Sequence, residues 1–432
     1  MSIDARICLI LLILCIPTTS FSDTSEPENN PLPIHGYVQQ ETAYRLTEPN
    51  ELTKVKQILQ IGLDHRFNEI VKIKISGRFF YDAIFDITNN FSDTVRRDQE
   101  AEAVFRETYL DLSFGESNLT VGKQQIVWGE VPGLFFADIV TAKDYREFLL
   151  PSFEYVRIPQ WAVNLQYYGA DNTIQLIWIP IQEFDKMPVV GSEFVFKLPV
   201  PDDVPYIVNN EQKPAMSIEN SSGGMRWSTL ISGWNPALFY LYKYDTIPTY
   251  FRTVEPGPVI ILTPKHTRVH QLGYTVSKDF DVIVLKSEGV ATLGKMFQTK
   301  DITTESGVVK KDYLEYVIGA EFSPDILQTT INLQFYQRII LNHNTNLIDP
   351  AIDSGASVWL KPKFFGHSIN PELLFIYDFT NQDWMFRPKV AWTLSNSWLL
   401  TIGSDLFGGD KDGLFGHFSK KSRVYTELRY NF

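Results

Sequence analysis

The residue types that carry most enzymatic chemistry form no recognisable constellation in this sequence. Two of the seven histidines, His266 and His270, stand four residues apart where a strand is predicted to start. In a strand their rings would lie about 13 Å apart, too far to bind one metal ion, and no HExxH pattern occurs. No GxSxG elbow, phosphate-binding loop or dinucleotide-binding glycine pattern occurs either. The sequence therefore predicts no enzyme, no cofactor and no metal site.

Cysteine chemistry is confined to a segment at the N-terminus. Cys8 and Cys15, the only two cysteines, lie in an apolar run at 7–16 that follows a short polar start. Small residues end the run, so residues 1–22 are predicted to be a secretory signal peptide that is cleaved near Ser22. The apolar run is too short to cross a membrane. The chain beyond it has no cysteine, which excludes disulfides and thiolate catalysis.

The composition excludes several classes of protein. Hydrophobic residues make up 44% of the chain and charged residues 21%, which is unlike a disordered protein. The sequence offers no run of about 18 apolar residues that would supply a membrane-spanning helix. The net charge of -12 argues against a nucleic-acid partner, because such proteins carry a basic surface. Residues 23–33 are polar and proline-rich, and are predicted to be a disordered periplasmic leader.

From Ile34 onward, apolar side chains recur with a period of two, the period of a β-strand. The pattern is clearest at 384–394, 71–85 and 423–432. Such segments are about ten residues or longer, the length that crosses a bilayer at a tilt, whereas globular strands average about five or six. Backbone groups in lipid must all be paired, so a sheet there has to close on itself. Residues 34–432 are therefore predicted to form an all-β transmembrane antiparallel β-barrel.

The predicted barrel has about 18 strands, within a range of about 16–18. Short turns alternate with long connections, which is the layout of outer-membrane barrels with short periplasmic turns and longer external loops. An even number of strands puts both termini on the periplasmic side. The predicted strands are 34–46, 52–67, 71–86, 102–114, 118–128, 161–168, 172–180, 224–232, 235–244, 267–278, 282–298, 313–322, 328–338, 354–364, 369–377, 384–395, 398–407 and 422–432. The long connections are predicted at 87–101, 129–160, 181–223, 245–266, 299–312, 339–353 and 408–421.

The last strand and one internal motif resemble those of known outer-membrane barrels. The C-terminal strand ends in Tyr430 and Phe432, which resembles the signal that the barrel-assembly machinery binds. Residues 122–130, GKQQIVWGE, resemble the G-[KR]-Q-x-x-x-W-G-[DE] signature of a little-characterised porin-like outer-membrane family. The likeness continues over 138–146, where Ala142 replaces a proline that is frequent in that family. The overall layout is also similar to that of alginate-export-type eighteen-stranded barrels.

The resemblance implies an outer-membrane transport barrel, with lipid or hydrophobic-compound transport as an alternative to small-solute passage. The connection at 129–160 follows the signature and mixes apolar with charged residues, and long loops of this kind often carry function. We expect it to fold into the lumen and narrow the pore. The alternative is an ordinary external loop with a structural Trp128–Gly129 corner. The candidate constriction residues are Trp128, Glu130, Asp138, Lys143, Asp144 and Arg146.

Alternation also predicts which charged side chains face the lumen. Several are basic, and rings or ladders of basic side chains favour anions in a pore. The alternative is that they pair with lumen acids such as Asp405 and Glu427 and so stiffen the barrel. A second basic set near the N-terminal end would share a wall with the first if the barrel closes. The C-terminal ladder is Lys361, Lys363, Arg387, Lys389, Arg423 and Arg429, and the N-terminal set is Lys54, Lys56, Lys72, Lys74 and Arg78.

The sequence thus favours a passive channel for small solutes in the outer membrane of a Gram-negative cell. Such a protein would contact outer-membrane lipid and lipopolysaccharide, and a homo-oligomer is compatible with the sequence. Two hypotheses from other classes stay open, an outer-membrane enzyme and a secreted β-rich binding protein.

Overall fold

Eighteen antiparallel strands form one closed sheet in this protein. The computed structural model describes residues 34–133, 136–201, 204–255, 259–324, 328–363 and 368–432, so the predicted signal peptide and leader lie outside the described residues. The strands are β1 (Ile34–Arg45), β2 (Leu52–Arg66), β3 (Val71–Asp82), β4 (Ala101–Phe114), β5 (Ser117–Gln124), β6 (Gln160–Tyr168), β7 (Asn172–Ile181), β8 (Ser222–Thr229), β9 (Trp234–Tyr244), β10 (Arg268–Phe280), β11 (Ile283–Gln298), β12 (Val308–Phe322), β13 (Thr329–Ile340), β14 (Ile352–Pro362), β15 (Ile369–Asp378), β16 (Asp383–Thr393), β17 (Trp398–Gly409) and β18 (Arg423–Asn431). Each strand pairs with the next one along the chain, and β18 pairs with β1, which closes the barrel.

The prediction of an eighteen-stranded antiparallel barrel is confirmed, and every predicted strand has a counterpart. Three strand ends differ from the prediction by four residues or more. The strand predicted at 313–322 begins at Val308, where it already pairs with Gln298 of β11. The strand predicted at 71–86 ends at Asp82, whose carboxylate accepts the backbone N–H groups of Val55 and Ile84 and so begins a helical turn. The strand predicted at 118–128 ends at Gln124, because the chain there turns inward and buries Trp128.

The period of two separates an apolar outer face from a mixed inner face. On β11, Leu285 and Leu293 are exposed on the outside, whereas Glu288 and Val290 are buried on the inside. Apolar side chains on the outer face suit acyl chains, which offer no hydrogen-bond partners. Other exposed apolar residues on the strands include Ile61, Phe79, Phe105, Leu165, Leu176, Trp178, Leu238, Leu272, Ile318, Leu333, Phe375, Val390, Ile402 and Leu428.

Short turns lie at one end of the barrel, together with both ends of the barrel chain. Gly36 and Phe432 exchange backbone hydrogen bonds of 2.9 and 3.0 Å there. Several of these turns use residues with positive φ, such as Gly115 at +57° and Asp281 at +64°. The tight reversal between adjacent strands requires this backbone conformation, which glycine and aspartate adopt more readily than most residues.

The connections at the other end carry their own secondary structure, most of which the sequence did not predict. In particular, the connection predicted at 245–266 contains a β-hairpin. Among the described residues, no helix has the length and apolar character needed to cross a membrane. Within these connections lie the helices Ile84–Ile87, Asp93–Gln99 and Phe153–Val156, the 3-10 helices Ile218–Asn220 and Gly416–Lys421, and a three-stranded sheet of Tyr206–Val208, Thr249–Glu255 and Val259–Lys265.

The hydrogen-bonded pairing between β14 and β15 is shorter than the two strands themselves. Pairing of β14 with β15 ends at Leu360 opposite Leu373, although both strands continue toward the short-turn end. Continuing the same register would place Pro362 opposite Pro371. Neither proline has a backbone N–H to donate, so the ladder stops before them.

Candidate pore constriction

The connection between β5 and β6, residues 125–159, folds into the barrel, and we call it the inner segment. Its entry is held by Trp128, whose side chain is 2% exposed and whose indole N–H donates to Oε1 of Gln175 on β7 at 2.8 Å. The Trp128 ring also packs on Phe239 of β9, with 5.2 Å between ring centroids. The motif tryptophan therefore turns the chain inward and fixes it to two strands.

A buried carboxylate on β11, two strands along the wall from β9, receives the next part of the inner segment. Glu288 of β11 accepts the backbone N–H groups of Glu130 at 2.8 Å, Val131 at 3.2 Å and Ala137 at 3.1 Å. Hydrogen bonds to an ionised acceptor contribute more than bonds between neutral groups. A Cβ on Gly129 would lie 3.2 Å from the backbone nitrogen of Asp138 and 3.3 Å from Oε2 of Glu288, so a larger residue in this corner would have to displace its neighbours slightly.

An aromatic cluster holds the middle of the inner segment. Phe148 is 1% exposed, and its ring lies 5.0 Å from Phe418, 6.0 Å from Phe407 and 6.1 Å from Phe415, measured between centroids. Edge-to-face and tilted pairs of this kind each contribute about 0.5–1.5 kcal/mol beyond the burial of their area. The cluster joins the inner segment to β17 and to the connection that follows β17.

Most of the charged candidates predicted in this segment bind each other or the wall. Asp138 accepts from Arg157 at 2.6 Å, and the Lys143 ammonium donates to the backbone carbonyl of Asp138. Arg146 forms ion pairs of 2.6 Å with both Asp144 and Glu102.

Two further observations concern the carboxylates of Asp144 and Glu130. Burial raises the pKa of the Asp144 carboxyl, but hydrogen bonding and charge attraction from Arg146 outweigh burial and hold that pKa below its usual value. The Glu130 carboxylate accepts from Thr275 at 2.9 Å and lies 3.4 Å from Arg226.

Glu147, which the sequence did not single out, is the inner-segment residue with the largest cluster of cations around it. Lys54 and Lys56 of β2 both donate to its carboxylate, and Lys54 also pairs with Glu41 of β1 at 3.0 Å. The two lysine side chains are 11% and 10% exposed. Burial raises the pKa of Glu147, but attraction to Lys54, Lys56 and Arg423 prevails and leaves that pKa well below its usual value.

Two small cavities lie between the inner segment and the wall of β1, β2, β3 and β18, and a larger one lies at the loop end. A vestibule of about 820 Å³ at the loop end shares Arg146 with a cavity of about 80 Å³. That cavity shares Lys54, Arg78 and Arg423 with a further cavity of about 40 Å³. We call these three cavities together the passage. The passage narrows to little more than the room a few water molecules need.

The predicted meeting of the two basic sets takes place along this passage. Because β18 pairs with β1, Arg423 and Arg429 line the same narrow cavity as Lys54 and Arg78. Arg78 stacks on the Tyr155 ring at 4.4 Å, and Arg429 donates to the neutral amide oxygen of Gln39. Within the described residues, neither guanidinium forms an ion pair with a carboxylate.

Two arginines of the predicted ladder bind a single carboxylate. Arg387 and Arg423 share the buried carboxylate of Asp405, each at 2.8 Å, as the pairing alternative predicted.

The remaining members lie outside the passage. Lys389 lies 3.4 Å from Glu372, and the Lys361 ammonium lies 3.7 Å from the centroid of the Trp359 ring. Lys363 follows the end of β14 and is exposed in the turn region, beyond the strand that was predicted to carry it.

This geometry defines the class of fold, an eighteen-stranded barrel of the outer-membrane porin type with an inward-folded segment. Three solved structures from Acinetobacter baumannii are similar in fold: OccAB1 at a TM-score of 0.54 and 10% identity, OccAB4 at 0.51 and 9%, and OccAB3 at 0.50 and 8%. Each alignment covers 92% of this chain and 96%, 97% and 98% of the respective structures.

Sequence comparison adds one family. Residues 50–176 match a family described as a protein of unknown function, DUF1302. The match spans β2 to β7 and includes the whole inner segment. No curated protein matches the sequence significantly.

Proposed function

We propose that this protein is a passive outer-membrane channel for small solutes, in which the inner segment forms the constriction. The observation that carries the proposal is the passage, a row of cavities from a vestibule at the loop end to Arg429 near the wall formed by β1 and β18. A lumen lined by charged groups inside an apolar exterior suits aqueous diffusion. In this proposal the short turns and both termini are periplasmic.

Anion preference is a second part of the proposal. Arg78 and Arg429 line the narrow cavity beside Glu41, Asp405 and Glu427, and the ring contact of Arg78 and the hydrogen bond of Arg429 are both to neutral groups. The Arg387–Asp405–Arg423 trio has one carboxylate for two guanidinium groups, so it carries a net positive charge. Basic groups lining a pore favour anions over cations.

The vestibule favours a second candidate cargo, an apolar or amphipathic compound. Its lining includes Met187, Val189, Phe196 and Leu198 beside the charged groups Glu102 and Arg146. Apolar side chains with a few polar groups are typical of a pocket for a small organic molecule.

Liposome swelling with a panel of solutes tests the proposal and separates the two cargos. Purified protein in liposomes should admit small organic anions faster than neutral sugars of similar size. Fatty acids entering faster than either would favour the second candidate. No swelling with any solute would contradict a channel.

We further propose that a cleaved signal peptide takes the chain to the periplasm and that the strand ending in Tyr430 and Phe432 directs insertion by the barrel-assembly machinery. Phe432 stands at the seam with β1, where Gly36 exchanges backbone hydrogen bonds with it. Membrane fractionation of cells expressing Phe432→Ala tests this assignment. The variant should accumulate outside the outer membrane, and normal insertion would contradict the role.

A further inference from the structure

The pair Lys54 and Lys56 forms a carboxylate site whose present occupant belongs to the protein itself. We propose that Glu147 is a built-in ligand, and that the cargo is a small carboxylate that takes its place between the two lysines during passage. This inference rests on the channel function proposed above and names its substrate class.

The geometry of the site is that of an anion receptor inside the barrel. Lys54 and Lys56 stand two apart on β2, so the pleat places both side chains on the inner face. Each donates to a different oxygen of Glu147, and the Arg423 guanidinium lines the same cavity. Both lysines are almost fully shielded from solvent, which strengthens their attraction for an anion over what it would be in water.

The position of Glu147 on the chain makes exchange with a solute possible. Glu147 belongs to a connection and not to a strand, so its carboxylate can leave the lysines without breaking the barrel ladder. Its tether holds it near the lysines at high effective concentration, so a free carboxylate competes only where it is abundant. Departure of Glu147 would leave the buried ammonium of Lys56 unpaired and Lys54 with Glu41 alone, which is costly, so departure is favourable only as another carboxylate arrives.

The site also lies on the route that a solute would take. The cavity that it lines shares the Arg146 side chain with the vestibule, and shares Lys54 and Arg423 with the narrow cavity. A carboxylate moving inward from the vestibule would therefore meet the lysines before it meets Arg429. Replacement of Glu147 would at the same moment release one tie between the inner segment and β2.

Chemical rescue of Glu147→Ala tests the inference directly. Alanine removes the terminal CH2 and carboxylate of the side chain, which together correspond in size and charge to acetate. Acetate should bind the detergent-solubilised variant saturably and raise its unfolding temperature, with at least about tenfold higher affinity than for the wild type. Acetamide, which has the same shape without the charge, should give no stabilisation.

Matched variants make the result interpretable. Glu154→Ala removes an exposed carboxylate from the same inner segment and should show no response to acetate. Glu147→Gln, which retains the size of the side chain, provides a second folded background in which carboxylate binding should also exceed that of the wild type.

Equal acetate binding by the wild type, Glu147→Ala and Glu147→Gln would overturn the inference. Because binding is measured without a membrane, this result is distinct from failure of the channel function, which would appear as absence of swelling with every solute.

Discussion

The backbone N–H of Glu130 lies 2.8 Å from Oε2 of Glu288, and this hydrogen bond ties the motif glutamate to the middle of β11 on the inner wall. Two more N–H groups of the inner segment share the same carboxylate. The inner segment is therefore attached at its start to the wall through Glu288 and, further along, to β2 through Glu147.

Replacing Glu288 should loosen the constriction. Glu288→Ala removes the acceptor for three backbone N–H groups, and we expect a loss of about 2–4 kcal/mol of stability and a noisier, larger single-channel conductance. Thermal unfolding and planar-bilayer recordings measure the two effects. Glu321→Ala serves as a control, because Glu321 forms only a 3.4 Å ion pair with Lys286 on the wall. Equal effects of the two substitutions would contradict the anchoring role.

The indole N–H of Trp128 should stabilise the folded protein through its single buried hydrogen bond. Trp128→Phe keeps most of the ring packing but leaves Oε1 of Gln175 without this donor, and should lower stability by about 1–2 kcal/mol. Trp227 offers a matched control, since its indole N–H donates to Asn172 at an exposed position on the outer face. Trp227→Phe should have a smaller effect on thermal unfolding in detergent, and an equal loss would count against the prediction.

Acid should release the Glu147 contact only at low pH. The pKa of Glu147 lies well below its ordinary value of 4.5, so ionised Glu147 stabilises the closed arrangement at all pH values above 4.5. This contribution is lost as the pH falls through the lowered pKa. The part of the conductance that depends on Glu147 should therefore stay constant between about pH 7 and 5 and rise only well below pH 4.5. A rise between pH 7 and 5 that Glu147→Ala abolishes would disprove this assignment.

Charge in the passage should set ion selectivity. Asp405→Asn removes the carboxylate shared by Arg387 and Arg423, and should shift the reversal potential in a salt gradient further toward anions. Asp412→Asn, in an exposed connection, should leave the reversal potential unchanged. The double substitution Arg78→Gln with Arg429→Gln should reduce anion preference, and cation preference of the wild type would refute the proposal.

Local sequence pattern predicts the barrel well because the alternation of apolar and polar residues within a strand depends only on what lies on the two sides of that strand. The alternation around Arg387, for example, follows from lipid on one side of the wall and a polar lumen on the other. Closure then implied that Arg423 and Lys54 share a wall, which the β1–β18 pairing bears out.

The constriction itself was harder to predict because it depends on contacts between distant parts of the chain. Nothing near Glu147 in the sequence indicates Lys54 or Lys56, which precede it by about 90 residues. The hairpin within the connection at 245–266 was missed because external connections lack the constraint that lipid places on a strand. Lys363 lies just outside its predicted strand, because that strand ends at Pro362.

Single-channel conductance of a variant lacking residues 133–150 tests the central claim most directly. This deletion removes Phe148 and Glu147, and with them the contacts that hold the inner segment across the lumen. If the inner segment is the constriction, the deleted variant should conduct several-fold more current than the wild type in planar bilayers while keeping its heat-modifiable gel mobility. Unchanged conductance in a correctly folded variant would contradict the account.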